Sequence, residues 1–245
     1  MKQLIRTILS PLRKFIQYLF RPDFHLDYWR LSPYKTSLVL LFEEKMMESS
    51  LEYALKNFRG SLQFYYRDKL WDYAMNTVKE DKKIAGQLFL EFGTYKGESI
   101  NFFSSRLPAE TFYGFDSFEG LKEDWKGYSY GKGHFNVGGV LPKVNSNVKL
   151  TKGWFDETLP KFVEANKQMV KFLHIDCDTY ESTVTVLSLL TDRIVPGTFI
   201  LFDEYIGYPS WEIGEHKAFQ EFMSRTKLRY EYLGFSNQSV FLRIL

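Results

Sequence analysis

The chain has 245 residues, 44% of them hydrophobic, enough for one large domain with a substantial core. Its 32 basic and 30 acidic side chains leave a formal charge of +2, which excludes a global electrostatic case for nucleic acid as a partner. The single cysteine, Cys177, excludes an internal disulfide and suits a reducing compartment, and no apolar run is long enough to span a bilayer.

Residues 1–20, MKQLIRTILSPLRKFIQYLF, repeat apolar side chains from Leu4 to Phe20 at helical spacing, with Lys2, Arg6, Arg13 and Lys14 between them. A basic amphipathic helix of this kind packs on its own domain, meets a second subunit, or lies in an anionic membrane surface. The corresponding expectations are a homo-oligomer and a peripheral contact at the inner face of the membrane. No secretory signal is recognisable, so a cytoplasmic location is expected. Residues 36–58 and 61–82 read as two further helices broken at Gly60, making 1–82 a helical extension.

From residue 83 to 245 strands alternate with helices. Strands are predicted at 87–93, 111–116, 147–153, 170–178 and 197–205. Helices follow around Ile100 to Phe103 and at 157–168, 180–191 and 212–226, and 228–235 with 239–245 form a closing hairpin. Repeated strand–helix units predict an α/β fold, a mostly parallel sheet with helices on both faces and a ligand crevice at the carboxyl ends of its strands. Segment 117–146, rich in Gly and Tyr, reads as a long functional loop.

Three stretches carry chemistry. In "LEFGTYKGES" the first strand stops at Glu91, and Gly93 and Gly97 follow, a spacing that suggests backbone something must approach closely. Asp116 closes the next strand, about where an acid meets two ribose hydroxyls in nucleotide-binding sheets. The G-x-G-x-x-G triplet that admits a pyrophosphate is missing, so a nucleoside without phosphates suits the turn better, and S-adenosylmethionine is such a ligand. An ordinary tight turn is the plainer alternative.

Second, "HIDCD" and "FDEY" place Asp176 and the pair Asp203 and Glu204 at neighbouring strand tips. Crowded carboxylates repel unless a cation or a shared proton compensates, and oxygen-only ligands favour a hard ion such as Mg²⁺. Asp178 either contacts the acceptor or caps the next helix. His174 alternates with Asp176 and is expected on its face, either as a base or as an interior histidine. Third, Tyr205, Trp211 and Glu215 follow the acidic pair as candidate contacts for a sugar ring, or as packing and helix-terminus residues.

Together "EFGTYKGES", "YGFDSFEGL", "GWFDETLP", "LHIDCDTYEST" and "FDEYIGYPSWEIGEHKAF" resemble the macrocin O-methyltransferase family over roughly residues 85–225. These are class I, S-adenosylmethionine-dependent enzymes that methylate sugar hydroxyls of natural products. The resemblance implies a Rossmann-like class I methyltransferase sheet of seven strands whose last hairpin is antiparallel. It implies cofactor contacts at Glu91, Gly93, Thr94, Tyr95, Gly97 and Ser99, at Asp116 and Ser117 beside the ribose, and at Gly153, Trp154 and Asp176. The metal site would comprise Asp176, Asp203 and Glu204, the last standing where better-known relatives carry a second Asp. Asp176 or His174 would be the base and a sugar-bearing molecule the acceptor. Two rivals stay open. Asp176-Cys177-Asp178 matches the D-x-D of metal-dependent glycosyltransferases, and a non-catalytic, membrane-docked binding protein would use residues 1–20.

Overall fold

The computed structural model describes residues 37–81 and 87–245, so the helix expected over 1–20 lies outside the described residues. The chain divides into two units, residues 1–45 and Met46–Leu245, and the sheet belongs to the second. Helix α1 spans Leu38–Asn57 and is followed by a two-residue strand, β1 (Leu62–Gln63), and helix α2 (Arg67–Glu80). Then come β2 (Leu88–Phe92), α3 (Glu98–Arg106), β3 (Phe112–Asp116), β4 (Val148–Lys152), α4 (Phe155–Ala165), β5 (Val170–Ile175) and α5 (Tyr180–Leu189). The chain closes with β6 (Phe199–Phe202), α6 (Glu215–Thr226), β7 (Tyr230–Ser236) and β8 (Ser239–Ile244). Among the described residues no helix is long and apolar enough to cross a membrane.

The sheet has eight strands in the order β1-β7-β8-β6-β5-β2-β3-β4, not the expected seven. The extra strand is β1, which pairs parallel to β7 through Leu62 opposite Gly234 and Gln63 opposite Phe235. The helix expected over 61–82 therefore begins only at Arg67. Two exposed residues carry no apolar run, so nothing local announced this strand. Strand β8 is antiparallel to both β6 and β7, as expected of the closing hairpin. The mostly parallel sheet with a late antiparallel hairpin is the class I methyltransferase fold.

Strand residues alternate between two apolar layers. Leu88, Leu90 and Phe92 join one with Leu173, Ile175 and Phe202, which α4, α5 and α6 cover through Leu159, Val186 and Phe219. Phe89, Phe112 and Phe172 face the other, covered by Leu70, Trp71 and Met75 of α2 and Ile100 and Phe103 of α3. The chain runs outward from β2 to β3 and β4, then returns to β5 on the opposite side of β2. That reversal opens a crevice at the carboxyl ends of β2 and β5.

The seam is tight there. Asp176 N–H donates to the Phe92 carbonyl at 2.9 Å, and Gly93 N–H donates to the Phe115 carbonyl at 2.9 Å. Gly93 has φ +96°, and a Cβ on it would lie 1.6 Å from the Asp176 carbonyl oxygen. Gly93 is thus demanded by a neighbouring strand tip of its own chain rather than by a ligand. Gly93→Ala is expected to cost at least about 2 kcal/mol, from overpacking and a left-handed backbone together. Gly60→Ala, with nothing within 4 Å of the added methyl, is the matched control and should melt close to wild type. Equal melting temperatures for the two variants would show that the seam can relax at no cost.

Candidate active site

A cavity of about 460 Å³ lies at this seam, within the range of small-molecule sites. The β2–α3 turn contributes Gly93, Thr94 and Tyr95, the start of α3 contributes Ser99, the tip of β3 contributes Asp116 and Ser117, and Trp154 stands after β4. Asp176 and Asp178 enter after β5, and Asp203 and Glu204 after β6. Three lining residues without glycine's freedom take left-handed backbone: Tyr95 (φ 43°), Phe135 (φ 66°) and Asp178 (φ 64°). Such strain persists only where surrounding structure over-determines it.

Asp116 is held from two sides. Its Oδ2 accepts from Tyr95 N–H and its Oδ1 from Phe118 N–H, both at 2.6 Å. Burial nevertheless raises its pKa, with these backbone donors opposing the rise. A carboxylate has about four acceptor positions, so acceptor capacity remains beyond the backbone donors.

Asp176, Asp178 and Glu204 each offer a carboxylate oxygen within 4.8 Å of the other two. Burial pushes Asp178 up to about 8, helped by the charges of Asp203 and Asp116. Asp176 and Glu204 are raised well above the usual carboxylate range, first by burial and then by the charges of Asp203 and Asp178. The expected metal trio was Asp176, Asp203 and Glu204; the structure gathers Asp178 in place of Asp203. The left-handed backbone at Asp178 places its carboxylate among the others, while both Asp203 oxygens are engaged. Asp203 Oδ2 accepts from Arg67 Nη1 at 2.7 Å and Oδ1 from the Ser239 hydroxyl at 3.0 Å.

Several expected site residues lie outside the cavity lining. His174 is fully buried, with Nδ1 at 3.0 Å from Glu91 Oε2, between the rings of Phe103 and Trp71. It faces the α2–α3 side, because the alternation that linked it to Asp176 stops with the ladder at Ile175. Glu91 is buried with it and does not reach the lining, and Gly97 and Gly153 also stay out of it. Trp211 packs in the core against Tyr53 and His216, so it is no platform for a sugar. Tyr205 is buried, its hydroxyl 2.7 Å from that of Tyr232, and Glu215 is fully buried outside the cavity.

Other lining residues were not singled out individually in the sequence. Arg67 and Trp71 come from α2, and Lys122, Glu123, Trp125 and Phe135 from the loop 117–146. The loop is strapped down: Glu123 accepts from Thr179 and Ser182, Lys126 pairs with Glu181 at 3.1 Å, and Tyr128 stacks on Tyr208 at 5.5 Å. Its Gly and Tyr content did mark it as functional, whereas only the folded path of α2 brings Arg67 and Trp71 to the cavity.

Residues 90–205 match the family model described as a methyltransferase domain. A relative from Streptomyces olivaceus, named 8-demethyl-8-(2,3-dimethoxy-alpha-L-rhamnosyl)-tetracenomycin-C 4'-O-methyltransferase, is 30% identical over 155 residues, 54% of this chain. The match spans 58% of that relative's length. CalS11, a calicheamicin methyltransferase, superposes with a TM-score of 0.58 at 20% identity, covering 85% of this chain and 94% of that one. The O-methyltransferase NovP gives 0.56 at 17% identity, covering 84% of this chain and 98% of that one. The two solved structures establish the fold, and the resemblance to O-methyltransferases read from the motifs is borne out.

The buried Glu91–His174 pair explains why a histidine sits beneath the site. His174→Ala would strand a buried carboxylate, and unfolding free energy should fall by about 3 kcal/mol. Denaturant titration checks this; an unchanged midpoint with lost activity would instead return His174 to the chemistry.

Proposed function

We propose that the protein transfers the methyl group of S-adenosylmethionine to a hydroxyl of a sugar or glycosylated natural product, with a divalent cation at the carboxylate cluster. The observation that carries this reading is one cavity that holds both Asp116 and the cluster Asp176, Asp178 and Glu204. The relative named for a rhamnosyl 4'-O-methyl transfer supports a sugar acceptor. The matches to methyltransferases favour the cofactor reading over the D-x-D one.

The residues present fit both groups. Thr94 Oγ1, Trp71 Nε1 and Trp125 Nε1 are buried in lining residues without a hydrogen-bond partner, as polar atoms awaiting a ligand are. Glu204 Oε2 is likewise unpartnered, and an all-oxygen donor set suits a hard divalent ion.

S-adenosylmethionine supplies a methyl group on a sulfonium, already a good leaving group, so the protein's task is alignment and proton removal. Asp116 takes the ribose hydroxyls as donors, and the β2–α3 turn receives the methionine end. Trp125 and Phe135 of the strapped loop exclude water over the reacting atoms. Asp176 is the carboxylate that accepts the acceptor hydroxyl's proton, and since burial and neighbouring acids favour its protonated form, a divalent cation at the cluster would keep it ionised for that role. A divalent cation there supplies Lewis acidity and a template for the hydroxyl.

Asp116→Ala removes a charged acceptor worth about 1.5–3 kcal/mol, so affinity for S-adenosylhomocysteine should fall at least tenfold by calorimetry. Unchanged affinity in a folded variant removes the ribose assignment, and a screen of methyl transfer to free and glycosylated sugars tests the reaction itself.

The carboxylates provide a pH test. The folded protein holds protons on the cluster that the unfolded chain releases nearer pH 4, so stability should fall as pH rises toward about 8. A divalent cation must displace those protons, so its stabilisation should grow over the same interval. Melting curves between pH 5.5 and 8, with and without Mg²⁺, measure both trends; a Mg²⁺ effect of zero throughout removes the cation from the scheme.

A further inference from the structure

Asp203 is almost fully buried, at 4% side-chain exposure, and its neighbour Arg67 is half-exposed at 47%. Arg67 opens α2, outside the segment matched by the family model, and reaches across to the cavity. Its Nη1 donates to Asp203 Oδ2 at 2.7 Å, and its guanidinium carbon lies 4.6 Å from the centre of the Trp71 ring, which fixes its plane. The Asp203 charge acts on Asp176, Asp178 and Glu204 alike.

We infer that Arg67 is a resident counter-cation that competes with a divalent ion for Asp203. Four acids crowd the tips of β5 and β6, and one is already neutralised by a side chain from α2. A divalent ion then meets three carboxylates rather than four. Arg67 is a positioning residue in this role: it acts through Asp203 and sets how tightly the cluster holds an ion. The inference rests on the cation reading above and adds a residue to it that lies beyond the matched domain.

The test is Mn²⁺ binding to the full chain, by calorimetry and by the spin-resonance signal of free Mn²⁺, without cofactor or acceptor. Arg67→Gln frees the Asp203 carboxylate and should tighten Mn²⁺ at least tenfold, whereas Arg67→Lys, which keeps the charge, should stay within about threefold of wild type. Arg67→Met serves as a second neutral variant should Gln not fold. Adding Asp203→Asn to Arg67→Gln should cancel the gain, since the carboxylate that supplied it is gone. Mn²⁺ binding by wild type with equal or weaker affinity in the neutral variants overturns this inference alone, as does a gain that survives Asp203→Asn. No Mn²⁺ binding by any of these proteins overturns both the inference and the cation reading.

Discussion

The backbone seam between β2 and β5 is the constraint on which the site depends. The chain leaves β2 in one direction and comes back to it from the other, so two strand ends with unrelated continuations meet side by side. Gly93 lies against the Asp176 carbonyl too closely for any side chain. This contact fixes the turn that carries Thr94 and Tyr95 relative to the acids that follow β5. The distance between the two halves of the cavity is therefore set by main chain, the least deformable part of the sheet.

Onto that frame the sequence loads more negative charge than the fold favours. Burial alone raises each cluster acid, and mutual repulsion raises it further, as the neighbouring charges on Asp178 illustrate. Some of the load is relieved internally: Arg67 covers Asp203, and Tyr95 and Phe118 donate to Asp116. Crowding of the remainder is of the kind that a shared proton or a cation relieves. A cavity of this sign also suits a cofactor with a sulfonium and an ammonium against a single carboxylate, since its positive charges exceed its negative one by one.

Much of the sheet was legible because its strands are apolar runs that stop at glycine or an acid, as at Phe92–Gly93 and Ile175–Asp176. Asp176 and Asp203 were legible for the same reason, each being the first polar residue after a buried strand. Direction was not. Asp203 follows β6 as Asp176 follows β5, yet Asp203 is drawn to Arg67 and Ser239, while Asp178 turns back through a left-handed residue to replace it. Trp211 and Tyr205 stand beside the acids in sequence and are claimed by the core, since nearness along the chain says nothing about which layer a side chain enters.

The Glu91–His174 pair shows how such a site is held from beneath. The two residues are register partners across the seam, Glu91 on β2 opposite His174 on β5. Their side chains leave the cavity and meet under it, closed in by Phe103 and Trp71. A buried carboxylate tolerates this position only with a donor directed at it. The same indole that encloses the pair also carries Arg67 on its face and lines the cavity. Trp71 therefore connects three tasks: it walls off the buried pair, fixes the guanidinium that restrains Asp203, and presents its own N–H without a partner. Helix α2 lies outside the matched methyltransferase segment, yet through this residue it governs both the floor and the charge of the site.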